Sequence, residues 1–91
     1  MLKIVLVENS NGPAILALDG QIIGPWVDEL ERVCEPMLAS GRGLGLDLSN
    51  VSFLSREGVR LLSTLRDRQV SLLHCSGFVA EQLKSREETP A

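Results

Sequence analysis

Ninety-one residues make one domain, near the lower end of what a single hydrophobic core supports. Hydrophobic residues form 44% of the chain and the net charge is −3, with nine Lys and Arg scattered rather than gathered into a stripe. Such a distribution argues against nucleic acid and against an anionic membrane surface, and the scarce aromatics (Trp26, Phe53 and Phe78) leave no stacking platform for single-stranded bases. No apolar run approaches the roughly 20 residues that span a bilayer. The opening Met1–Val7 is too short for a signal peptide, so a cytoplasmic protein without membrane insertion is expected.

Residues 2–7 are rich in β-branched side chains and predict a strand. Residues 8–13, Glu-Asn-Ser-Asn-Gly-Pro, predict a turn, and Ala14–Leu18 a second strand ended by Asp19-Gly20. Pro25 suits the first position of a helix, where its missing N–H goes unused. Trp26, Val27, Leu30, Val33, Cys34, Met37 and Leu38 then form one apolar stripe, with Asp28 and Arg32 in i,i+4 register on the outer face. Pro36 is expected to kink the last turn before the stop at residues 39–43.

Leu44, Leu46 and Leu48 mark a third strand, Ser49-Asn50 a turn, and residues 51–54 a return to the core. Ser55 opens a second helix that buries Val59, Leu61, Leu62 and Leu65 and leaves Arg60, Ser63, Thr64, Arg66, Asp67 and Arg68 wet. Residues 70–75 predict a fourth strand, and Ser76-Gly77 a last helix with Phe78, Val79 and Leu83 inward. A domain over residues 1–85 and a polar tail over 86–91 follow. Strands joined through helices run parallel, so the fold class is α/β: a four-stranded mixed sheet, first strand antiparallel, packed with about three helices.

The most specific stretch is Asp47-Leu48-Ser49-Asn50-Val51-Ser52-Phe53-Leu54 followed by Ser55-Arg56-Glu57-Gly58. With the Leu-Asp-Gly ending of strand two at 18–20, it resembles the STAS family, the sulfate-transporter and anti-sigma factor antagonist domains, over roughly residues 2–84. The family pattern is a strand ending Asp-Leu-Ser, an apolar segment, then Asp-Ser-Ser/Thr-Gly opening a helix. The resemblance implies a STAS-like fold and docking onto a protein partner, an anti-sigma factor or kinase, under the control of phosphorylation of the serine after the aspartate. By position, Ser55 stands for that aspartate, Arg56 for the phosphorylated serine, Glu57 for the next residue and Gly58 for the glycine. Arginine accepts no phosphoryl group.

Physical chemistry gives those residues roles of their own. Ser55 is first a helix N-cap and only second a displaced phosphorylation site. Glu57 suits the positive helix end and Arg56 opposes it, which suggests contact with an anionic partner group. Ser55, Arg56, Glu57, Gly58 and Arg60 are therefore the expected partner-binding and switch-position residues.

The expected function is a non-enzymatic protein-interaction module of the anti-sigma factor antagonist type, lacking the usual phosphoserine switch. Family members that serve lipid-transport ABC systems, clamped on the ATPase, supply the alternative, and nucleotide binding is another. The glycine run at 41–45 has no Lys-Ser/Thr and precedes a strand, so it is a turn and not a phosphate loop. Cys34 and Cys75 lie far apart, and with His74 alone they make no four-ligand zinc site, so no metal or cofactor is expected. His74 and Cys75, placed on one strand, would point to opposite faces and form no thiol–imidazole pair. Trp26, if exposed, would mark a homodimer or partner surface.

Overall fold

The computed structural model describes residues 2–7, 12–41 and 43–88, with side chains as far as residue 84. Most of the expected turn at residues 8–13, Arg42 of the stop expected at residues 39–43 and the tail residues 89–91 lie outside them.

β1 (Leu2–Val7) and β2 (Ala14–Ile22) run antiparallel, Leu2 opposite Gly20 and Val7 opposite Ile15. Gly24 then takes φ 54° and ψ −135°, a combination that favours glycine, and Pro25 opens α1 (Pro25–Ala39). Pro36 sits inside this helix, which continues past it to Ala39. β3 (Leu44–Leu54) lies parallel to β2, α2 (Arg56–Asp67) follows, and β4 (Ser71–Leu73) lies parallel to β3. α3 (Gly77–Glu88) ends the described chain. The strand order is β1-β2-β3-β4, the mixed sheet the sequence implies.

Val27, Leu30 and Cys34 of α1, Val59, Leu61, Leu62 and Leu65 of α2, and Val79 and Leu83 of α3 all enter one core. That core lies against the sheet face bearing Leu16, Leu18, Leu44, Leu46 and Leu48. Register places Lys3, Val5, Val7, Ile15, Ala17, Gly45, Asp47, Ser71 and Leu73 on the opposite face. Arg68, capping α2, reaches Glu35 of α1 at 2.7 Å. Arg32 pairs with Glu29 at 3.3 Å, one residue closer in sequence than the Asp28 register suggested.

Several elements depart from the sequence reading. β2 runs through Asp19-Gly20 to Ile22, and Ser49-Asn50 is not a turn but the middle of β3. Two bulges explain both. Pairing steps from Ala17–Asp47 to Asp19–Asn50, and from Gly20–Val51 to Gln21–Phe53, so β3 inserts one extra residue at each place. The Asp47 carboxylate accepts the Ser49 N–H at 3.0 Å, and the Ser52 hydroxyl donates to the Gly20 carbonyl at 3.3 Å. Turn-forming residues thus shape a bulge here instead of ending a strand. Beyond it the buried positions fall three apart, at Leu48, Val51 and Leu54, leaving Phe53 exposed rather than in the core.

β4 is shorter than expected, because His74 adopts φ 55° immediately after it. Cys75 therefore sits off the strand, half-buried beside the core, and the opposite-face geometry expected of His74 and Cys75 does not apply. Ser63 and Arg66 of α2, expected wet, are half-buried. Phe78, expected inward, is exposed, since the phase that buries Val79 and Leu83 turns it outward.

Candidate functional site

The start of α2 is fastened to the end of β2. Ser55 has extended backbone, φ −75° and ψ 173°, and its Oγ accepts the Gly58 N–H at 3.1 Å. The same hydroxyl donates to the Ile22 carbonyl at 3.3 Å, and the Ser55 N–H reaches that carbonyl at 3.1 Å. An N-cap of this kind stabilises a helix by about 1 kcal/mol. With one bond given and one accepted, the hydroxyl is committed to the fold.

Gly58 is required for steric reasons. A Cβ at this position would stand 2.6 Å from the Ile22 carbonyl oxygen and 3.2 Å from the Ile22 side chain. Only glycine lets the first turn of α2 approach β2 so closely. The signature glycine is therefore explained by packing alone.

Across the sheet, β4 stops at Leu73, opposite Asp47, and leaves the far half of β3 without a strand on that side. Gln82 of α3 takes the missing place at Leu54. Its Oε1 accepts the Leu54 N–H at 3.2 Å and its Nε2 donates to the Leu54 carbonyl at 2.8 Å. Sequence reasoning missed Gln82, since one amide on a polar helix carries no pattern.

Arg56, Glu57 and Arg60 project from this anchored turn into solvent. Among the described residues no carboxylate pairs with Arg56 or Arg60. Glu57 and Arg60 line a groove of about 220 Å³ between α1 and α2, with Val27, Glu31, Leu61 and Thr64. The five expected residues thus fall into two groups. Ser55 and Gly58 build the turn, while Arg56, Glu57 and Arg60 are presented by it.

Beside the turn lies a feature the sequence did not disclose. The rings of Phe53 and Phe78 stack with centroids 6.1 Å apart and planes 28° from parallel, although they are 41% and 54% exposed. Exposed aromatic pairs are uncommon on surfaces that meet only water, and aromatics are enriched at interface centres. No signal in the sequence pointed to it, since only the bulges put Phe53 out of phase with Val51 and Leu54.

Elsewhere the chemistry is quiet. Burial pushes the Cys34 thiol up to about 11, reinforced by Glu35, and burial also raises Cys75. Both thiols are thus kept protonated and poorly nucleophilic. The Ser49 backbone N–H holds the Asp47 carboxyl below its ordinary value. Gly41 takes φ 80° just past the Ser40 cap of α1, while Gly45 lies within β3 beneath Ile15 and Leu73, so the later part of the glycine run is strand. Trp26 is half-buried against the core, beside Leu2, Ile4, Leu6 and Leu16. No described helix is long and apolar enough to cross a membrane.

No family model matches the chain, and no curated protein sequence matches it significantly. Solved structures do. The anti-sigma factor antagonist SpoIIAA in its unphosphorylated form superposes with a TM-score of 0.70 at 17% identity, covering 90% of this chain and 82% of that one. A STAS-domain antisigma-factor antagonist from Rhodobacter sphaeroides superposes with a TM-score of 0.65 at 11% identity, covering 80% and 86%. The fold of this chain is the STAS fold.

Proposed function

We propose that this chain is a non-enzymatic protein-interaction module of the anti-sigma factor antagonist type, acting in bacterial transcription control in the cytoplasm without a phosphoserine switch. The single observation that carries the proposal is the construction of the Ser55–Gly58 turn. Its hydroxyl is spent on capping α2 and on the Ile22 carbonyl, while the neighbouring Arg56 side chain is solvent-exposed and without an ion pair among the described residues. Arginine is suited to carboxylate or phosphate groups because its planar fork donates two parallel hydrogen bonds. Phe53, two residues ahead of Ser55 in the chain, and Phe78 stacked against it supply exposed apolar contact area. A partner presenting both an acidic group and an apolar side chain would use both features.

Partner class decides between this function and that of an ABC-transporter subunit. Calorimetric titration against a cognate anti-sigma kinase and against a cognate ABC ATPase distinguishes them. Binding to the kinase is expected, weakened about tenfold by Arg56→Glu with the melting temperature unchanged. Binding to the ATPase alone, or an affinity indifferent to Arg56→Glu, would overturn the proposal.

A further inference from the structure

The fourth strand leaves one edge of the sheet open. β4 pairs with β3 on one side, and no described strand meets the backbone N–H and C=O groups of its other side. Proteins commonly blunt such an edge with Pro, Lys or a bulge, and the Ser-Leu-Leu of β4 has none of these. α3 packs mainly on β3 and α2, and it leaves a crevice of about 460 Å³ beside β4. Val70, Leu72 of β4, Ala80 and Leu83 of α3 and the half-buried Cys75 give this crevice apolar walls. Arg66 in the last turn of α2 and Lys84 of α3 bring two positive charges to it, and no carboxylate is among the described residues that line it.

We infer that this edge takes an extended acidic peptide from a protein partner, which adds as a fifth strand beside β4 and points a carboxylate toward Arg66 and Lys84. Each observation selects one part of the occupant. The edge backbone selects a strand, because extended backbone presents donors and acceptors at the spacing of β4 itself. Leu72 lies opposite the core residue Leu46, so the crevice it lines is on the helix side of the sheet. Alternate side chains of an added strand enter the crevice there, and the others turn to the far face. Apolar walls with two cations then fit an apolar residue and an acidic residue two positions apart. A guanidinium and an ammonium each carry several N–H donors, so both take up a carboxylate alongside other contacts. Arg66 lies about 15 Å along α2 from Arg56, so the edge and the Ser55–Gly58 turn are separate surfaces. Neither depends on the other.

Calorimetric titration with the capped peptide Thr-Val-Thr-Glu-Thr-Val-Thr tests the inference, because an extended backbone puts its Val, Glu and Val side chains on one face. Binding is expected, weakened about tenfold or more by Lys84→Glu in the chain or by Lys in place of the peptide's Glu. Lys3→Glu, at the opposite edge of the sheet, should leave it unchanged. Pro in place of the two Thr that flank the Glu keeps the charge but removes backbone donors, and should abolish binding. Alkylation of Cys75 by iodoacetamide reads the crevice itself: the peptide should slow it several-fold, while the fully buried Cys34 serves as the unreactive control. No binding at millimolar peptide overturns the inference. Equal binding by the Lys or Pro peptide does so too, as does binding that leaves Cys75 unprotected. Protection by octanoate as complete as that by the peptide also overturns it, since the crevice would then hold a small amphiphile and no strand.

Discussion

At the scale of single residues, the Ile22 carbonyl is the point on which the candidate site turns. It accepts from the Ser55 N–H and the Ser55 hydroxyl, and it is the atom a side chain on Gly58 would strike. Gly58→Ala should therefore destabilise the fold by about 1–3 kcal/mol, the usual result of overpacking against atoms that cannot yield. Ser55→Ala, which removes only the cap, should lose about 1 kcal/mol. Urea unfolding of the two variants ranks them, and equal or negligible losses would contradict the close approach. Cys34 makes a separate prediction. Its folded thiol titrates near 11 against an ordinary value of 9.0, so above pH 9 the unfolded chain releases this proton before the folded one. Stability present below that pH is lost as pH rises from about 9 to about 11, and Cys34→Ala should flatten this part of the profile.

At the scale of elements, the sequence was most legible where one period holds throughout. The α1 stripe from Trp26 to Leu38 and the buried face of α2 follow from 3.6-residue spacing; the structure buries Val27, Leu30 and Cys34 of the first, packs its other members half-buried against the core, and buries all of the second. Legibility failed where a local motif has two physical outcomes. Asp19-Gly20 and Ser49-Asn50 are turn-forming pairs, and only the pairing of β2 with β3 decides that they make bulges instead. Phe53 and Phe78 were misplaced for the same reason: each lies one residue from a buried neighbour, so a small change of phase reverses its side. Gln82 could not have been found, because its value depends on β4 stopping short of Leu54. Gln82→Ala should accordingly cost about 1–3 kcal/mol, by leaving the Leu54 backbone groups unpaired in a half-buried place. Amide exchange at Leu54 should accelerate in this variant while that at Leu46, in the middle of the sheet, changes only with global stability.

At the scale of the whole molecule, a STAS fold holds one exposed cationic turn on a rigid frame. β2 supplies the Ile22 anchor, α3 the Gln82 clamp, and α2 carries Arg56 outward from both. A frame of this kind suits the constitutive docking surface proposed for this chain. The proposed absence of a switch rests on Ser55 being committed to the cap and on Arg56, which has no hydroxyl, following it. Intact-mass spectrometry after incubation with a cognate anti-sigma kinase and ATP tests this most directly. The native chain should gain no phosphate while Arg56→Ser gains one. Stoichiometric phosphate on Ser55 of the native chain would contradict the account.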